Sequence, residues 1–199
     1  MGTKERRQRE AEQRRGEILE AARALFWSRG YEKTTMTDIA QAAELAPGTL
    51  YLYFARKSAL YTELLMEGYE LLSKRLEEAI RREGTGPARA RGLVDAFMGF
   101  AQESPEYFGI IFFVMQDWEG LPGDQIVRLM AKEQECRQLV ATIVRESAYV
   151  PIEREMAVVN AVWSMLVGVV FFFAKSGDFE AVAGEAKEML VRAVFGGEG

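Results

Sequence analysis

The sequence predicts an all-α protein of about nine helices, with a three-helix head at its N-terminus. Three observations carry this. Apolar residues recur at spacings of three and four through most of the chain, and no stretch alternates apolar with polar residues as a strand would. Glycine and proline breaks at Gly30, Gly84-Thr85-Gly86-Pro87, Ser104-Pro105 and Leu121-Pro122-Gly123 leave helix-length segments between them. The stretch from Thr34 to Phe54 reads as two short helices joined by a tight turn.

Residues 1–15 are charged, with Lys4, Arg6, Arg7, Arg9, Arg14 and Arg15 against three glutamates, and read as an irregular segment. Such a segment is either a solvated tail or an arm for DNA phosphates or the minor groove. Ile18, Ala22, Leu25 and Phe26 then make one apolar stripe of a first helix, and Gly30 ends it in the left-handed position. Thr35 stands three residues before Asp38, the spacing at which a hydroxyl and a carboxylate reciprocally cap a helix start. Ile39, Ala40 and Ala43 give this second helix a packing face, and two of the three are small enough for close approach.

Glu44-Leu45-Ala46 makes the turn, and Pro47 opens a third helix where its missing amide costs nothing. Leu50 and Phe54 point inward, while Gly48, Thr49 and Leu52 point out. A helix start carrying small exposed residues fits a DNA major groove, with its free amides toward phosphate. The alternative is a helical hairpin that only packs.

The string Gly48-Thr49-Leu50-Tyr51-x-Tyr53-Phe54-x-x-Lys57, after Ile39-Ala40-x-x-Ala43, resembles the DNA-binding domain of TetR-family (tetracycline-repressor-like) regulators across residues 13–65. The resemblance implies that Pro47, Gly48, Thr49 and Leu52 meet base edges, while Tyr51, Tyr53, Lys57 and the hydroxyls of Thr35 and Thr37 meet phosphates. Phosphate contacts position the helix and base contacts specify sequence. Tyr51 and Tyr53 have a second reading, as core aromatics. Two positions depart from the family pattern. Glu44 replaces the usual turn glycine and has to adopt a positive φ, at roughly 1 kcal/mol. Ala46 replaces the usual capping serine, so a hydrogen bond worth about 1 kcal/mol is missing.

Residues 57–82 read as one long helix with Leu60, Leu64, Leu65, Tyr69, Leu72 and Leu76 on its apolar side. It connects the head to the rest, and as a rod it carries pressure at its far end to the angle of the head. A fifth helix over 88–103 holds Leu93, Phe97 and Phe100. Tyr107, Phe108, Ile111, Phe112, Phe113 and Met115 make the next segment apolar on nearly every side, with Trp118 after it. Aromatic and methionine enrichment of this kind suits either a core or a ligand site. In a family whose regulatory domain binds small molecules, the candidate lining is Tyr69, Phe97, Phe100, Tyr107, Phe108, Phe112, Met115, Trp118, Arg137 and Trp163. Arg128, Gln134, Arg137 and Gln138 lie on an amphipathic helix over 124–147 and are read as solvent-facing unless one turns to the pocket.

Met156 to Ala174 is a run of 19 residues without a charge, near the length of a membrane span. Asn160, Ser164 and Gly168 recur every four residues on one face, a surface that admits another helix closely in water or in lipid. No basic cluster flanks the run. The resemblance implies instead that this helix and the amphipathic one after Asp178 form a four-helix dimer interface, through Asn160, Ser164, Gly168, Phe171 and Met189.

Charge and composition agree with this division. The chain has net charge −5, yet residues 1–60 carry 11 Lys and Arg against 8 Asp and Glu, and the remainder carries 14 against 22. Basic charge thus lies toward the head. With no histidine, Ser-His-Asp and Cys-His nucleophiles and the common zinc ligand sets are excluded, and no catalytic residue, metal or cofactor is expected. A helical enzyme would have to work with Asp, Glu and Tyr alone. The single cysteine, Cys136, fits a reducing cytoplasm and reads as an incidental thiol. The start lacks the apolar core of a signal peptide.

The expectation is a cytoplasmic homodimer: residues 1–56 a helix-turn-helix domain with an N-terminal arm, residues 57–199 a helical domain for effector binding and dimerisation. Its partners would be palindromic double-stranded operator DNA and a small hydrophobic effector, with no membrane. The competing reading is an architectural or activating DNA binder with no ligand.

Overall fold

The computed structural model describes residues 3–113 and 122–196. These contain nine α-helices and no strand: α1 Thr3–Arg29, α2 Met36–Ala42, α3 Pro47–Tyr53, α4 Lys57–Arg81, α5 Gly86–Glu103, α6 Pro105–Phe113, α7 Gly123–Arg145, α8 Glu155–Phe173 and α9 Phe179–Phe195. A short 3₁₀ turn, Ile152–Arg154, leads into α8. The all-α expectation holds.

The first helix departs from the sequence reading. Residues 3–15 are helical and continuous with the stripe that follows, where an irregular segment was expected. The composition explains it. Arg, Glu, Gln and Ala are good helix formers. Their spacing also supplies pairs along the exposed surface, Arg6 with Glu10, Gln8 with Glu12, Gln13 with Glu17 and Arg14 with Glu17. Gly30, at φ +83°, closes the helix as expected.

In the head, Ile18, Ala22 and Phe26 of α1 pack with Ile39 and Ala40 of α2 and with Leu50 and Phe54 at α3. In the larger body α4 packs on α5 and α7, α5 on α9, and α8 on α7 and α9. The stripe expected on α4, Leu60 through Leu76, is buried throughout. The fifth helix starts two residues earlier than expected because the Thr85 hydroxyl accepts from the amide of Ala88 and Pro87 sits in the first turn.

α6 joins the two parts. It packs on α1 and on α4. The Tyr61 hydroxyl of α4 donates to the carbonyl of Ile110 at 2.7 Å, wholly buried. Arg23 of α1 donates to the Tyr107 hydroxyl at 3.0 Å, and that hydroxyl donates to Glu67 of α4 at 2.9 Å. Burial, and then the Glu67 carboxylate, raise the Tyr107 pKa, which keeps its proton available for that bond. Gly68 permits the fit: a Cβ there would lie 2.9 Å from Ile111 Cδ1. One short helix therefore touches both the head and the rod that carries it.

Candidate nucleic-acid interface

The presenting surface is built from local signals. Thr35 caps α2, its hydroxyl accepting from the Asp38 amide at 3.1 Å while the Asp38 carboxylate accepts from the Thr35 amide at 2.9 Å. The same hydroxyl donates to Asp38 at 2.6 Å. These hydrogen bonds hold the Asp38 carboxyl below its ordinary pKa. Behind the cap, the buried Thr34 hydroxyl donates to the carbonyl of Gly30 at 2.8 Å and pins the α1–α2 corner.

The turn after α2 is a Schellman closure made without glycine. The Leu45 amide donates to the Ala40 carbonyl at 2.8 Å and the Glu44 amide to that of Gln41 at 3.1 Å. Glu44 adopts φ +56°, and among the described residues no other non-glycine has a positive φ. Ala46 then begins α3 with no side-chain cap, and Pro47 occupies the first turn. Both expected departures are present.

α3 buries Leu50 and Phe54 and turns its other side to solvent. Pro47 and Gly48 are exposed, Thr49 is half-buried, and Leu52 is 84% exposed. Tyr51 is 52% exposed, so its core reading is dropped. Tyr53 is half-buried and packs against the core edge. Thr37 is exposed beside them.

Two phosphate assignments need correction. The Thr35 hydroxyl has its proton directed to Asp38, so the cap uses the donor that a phosphate would need. Lys57 points into the head: its ammonium donates to the Tyr31 carbonyl at 2.8 Å and the Glu32 carbonyl at 3.5 Å, and lies 4.2 Å from the Tyr31 ring centroid. Only a third N–H remains for a phosphate.

Arg15, expected in an arm, is a clamp. Its Nε donates to Glu63 at 2.8 Å and a second nitrogen pairs with the same carboxylate. Its guanidinium lies 4.2 Å from the Phe54 ring centroid and also donates to the Tyr53 carbonyl. One residue thereby ties α1, the end of α3 and α4 together. The partner lies 48 positions away, so spacing along the chain carried no sign of it.

The residues assigned to a ligand pocket divide into separate groups. Phe97, Phe108, Phe112 and Trp163 form one buried cluster, with ring centroids 4.5–6.0 Å apart in tilted and edge-on contacts. Rings at these distances satisfy one another's edges and faces and behave as core. Phe100 is fully buried on the same helix as Phe97. Tyr107 turns away to α1 and α4, as described above. Tyr69 is buried on α4 near Glu133 and Cys136 of α7. Arg137 pairs with Glu133 and donates to Asn160 Oδ1, both at 3.3 Å. Met115 and Trp118 lie outside the described residues. The eight that are described fall into separate groups rather than around one cavity.

On α8, Asn160 and Ser164 are exposed, Gly168 is half-exposed and Phe171 is exposed. Met189 of α9 is exposed too. Among the described residues no group of three or more His, Cys, Asp or Glu side chains is arranged to hold a metal.

Against known proteins, residues 18–64 match the model for bacterial regulatory proteins of the TetR family. That span runs from the buried Ile18 of α1 to Leu64 of α4 and contains the capped α2, the turn and the exposed α3. Residues 18–64 are a TetR-family domain. The transcriptional repressor KstR2 of Mycobacterium tuberculosis is 39% identical over 80 residues, 40% of each protein. The transcriptional activator FasR of Mycolicibacterium smegmatis is 32% identical over 101 residues, 51% of this chain and 46% of that one. The chain thus aligns with less than half the length of these two relatives.

The TetR-family fold extends over the whole body. The crystal structure of the TetR-family regulator PfmR from Thermus thermophilus matches with a TM-score of 0.75 at 23% identity, covering 88% of this chain and 97% of that one. The structure of KstR2 matches at 0.71 and 22%, covering 92% and 95%.

Proposed function

We propose that this protein is a dimeric transcriptional regulator that reads a palindromic operator through α3 and is released from it by a small hydrophobic effector. The observation that carries the reading is the outer face of α3. An apolar residue, Leu52, is held in water beside Gly48, Thr49 and Tyr51, on a helix whose opposite side is locked by Leu50 and Phe54. Surface residues of that kind gain by contact with a thymine methyl or base edge. Pro47, Gly48, Thr49 and Leu52 take the base contacts. Tyr51, Tyr53, Thr37 and the spare N–H of Lys57 take phosphates.

The dimer reading is supported by α8. The segment Ile152–Phe173 is long and apolar enough to cross a bilayer, and only 33% of its most apolar window is buried within one chain. A second copy packed on Asn160, Ser164, Gly168, Phe171 and Met189 would cover that surface, and two-fold pairing would place the α3 helices about 34 Å apart, one turn of DNA. Cytoplasmic location follows from the same reading. Repression is the simplest mode for DNA occupied without effector, although the relatives include both a repressor and an activator.

Mobility shifts on the DNA upstream of the gene, at several salt concentrations, test this. Leu52→Asn should change which palindromes are retained while keeping the salt slope. Tyr51→Ala and Thr37→Ala should weaken all fragments alike and leave that slope in place, since neutral hydroxyls release no counterions. Equal binding of wild type and all three variants would refute the placement of α3 on DNA.

A further inference from the structure

Trp27, on α1 three residues before Gly30, walls a cleft of about 820 Å³ bounded also by the α5–α6 corner and the end of α8. The floor is apolar and buried, formed by Ala101, Phe108 and Val170. The rim carries Phe172, 74% exposed. A volume of this order with a mostly apolar lining is typical of sites for small organic molecules.

Among the described residues a single cation lines the cleft. Lys175, in the turn after α8, holds its ammonium 5.8 Å from the Trp27 ring centroid, the outer reach of a cation–π contact. No carboxylate pairs with it among the described residues. Asp178 and Glu180, three and five positions further along the chain, accept from the Ser176 hydroxyl at 3.5 Å and from Gln102 at 2.9 Å. The described lining thus offers a mostly apolar trough with one positive charge and no carboxylate among its residues.

We propose that this cleft binds a small organic anion with an apolar body, its carboxylate on Lys175 and its chain across Trp27, Phe108 and Val170. The inference rests on the effector reading above and gives that effector a class and a place. The site touches the head directly. Trp27 precedes Gly30, whose carbonyl accepts the Thr34 hydroxyl just ahead of the α2 cap, so a molecule seated against the indole bears on the corner that orients α2 and α3. Phe108 meanwhile faces both the cleft and the aromatic cluster of the body. Because Phe171 at the cleft also lies on the outward side of α8, the competing occupant is a second copy of the chain.

Calorimetric titration of the full chain with decanoate, decan-1-ol and decyltrimethylammonium, each below its micellar concentration, tests the proposal. Decanoate should bind more tightly than the alcohol, and the cation should bind most weakly. Lys175→Met, which keeps the apolar stem, should weaken decanoate about fivefold and leave decanol unchanged. Trp27→Ala should weaken both. Circular dichroism checks that each variant folds, and both positions are exposed. Failure of decanoate to bind wild type, or equal decanoate affinity in Lys175→Met, overturns the proposal. So does a Trp27→Ala protein that changes its sedimentation while keeping wild-type decanoate affinity, since the cleft would then be a subunit contact. A mobility shift run alongside separates the two readings: decanoate that binds without releasing DNA leaves the site standing and removes its effector role. Absence of DNA binding before any decanoate is added defeats the regulator reading alone.

Discussion

Replacing Glu44 by glycine should make the protein more stable and, separately, a better DNA binder. Glu44 is held at φ +56° by the two hydrogen bonds that close α2. A side chain in that region costs about 1–2 kcal/mol through the clash of its Cβ with the following carbonyl. Glycine removes the clash but adds freedom to the unfolded chain, returning about 0.4–1 kcal/mol of the gain. The difference is about 0–1.6 kcal/mol, centred near about 0.8 kcal/mol, which for a chain of this size raises the melting temperature by about 2–3 °C. Thermal melts at one fixed protein concentration would read it, since dimerisation makes stability concentration-dependent. Glu44→Gln divides the effect: it keeps the backbone strain and removes the charge in front of α3. It should therefore leave the melting temperature unchanged while tightening DNA binding as Glu44→Gly does. If glycine fails to stabilise, or if glutamine stabilises as much, the strain argument is wrong.

Ala46→Ser supplies the missing cap to α3, where the Gly48 amide is the free donor. Because the Thr49 amide already donates to the Ala46 carbonyl at 2.9 Å, the gain should fall at the low end, about 0.5–1 kcal/mol by urea denaturation. Asp38→Ala removes the reciprocal cap of α2, and its cost should depend on pH. The folded pKa of Asp38 is depressed, first by the Thr35 hydroxyl and then by the Thr35 amide, so its contribution is present above the ordinary value of 3.8 and is lost as pH falls through the folded value. Melts of wild type and Asp38→Ala should be apart at pH 7 and converge below pH 3.8. Tyr107→Phe breaks the Arg23–Tyr107–Glu67 link between head, α6 and α4. It should lower stability by about 1 kcal/mol, and it should reduce the difference in DNA affinity with and without effector, read by anisotropy on a labelled operator.

What could be read from the sequence was what neighbouring residues decide among themselves. The Thr35–Asp38 cap, the left-handed Gly30 and Glu44, the uncapped Ala46 and the inward pair Leu50 and Phe54 all rest on partners within five positions, and each is present. The long helix α4 was equally legible because its stripe repeats over six apolar residues. Arg15 is misplaced, and Lys57 only partly placed, by the sequence for the opposite reason. A basic residue near a DNA-reading helix resembles a phosphate contact until the fold brings Glu63 or the Tyr31 carbonyl beside it. The aromatic segment failed in a third way. Composition announced that Phe97, Phe108, Phe112 and Trp163 would be inside, but ring against ring and ring against ligand call for the same residues. Which one holds depends on whether their edges meet, and that is fixed only when three helices are in place.

Cys136 gives the molecule an internal clock. Its sulfur is fully buried between α7 and α4, 3.9 Å from the Tyr69 carbonyl, and burial pushes the thiol pKa up to about 12. At neutral pH it is protonated and shielded, so an alkylating reagent reaches it only in the moments when α4 and α7 part. As the chain has one cysteine, every labelled molecule records one such opening. The rate of mass gain then measures how often the rod beneath the reading head comes loose from its neighbour, and any compound that changes that rate has altered the same motion.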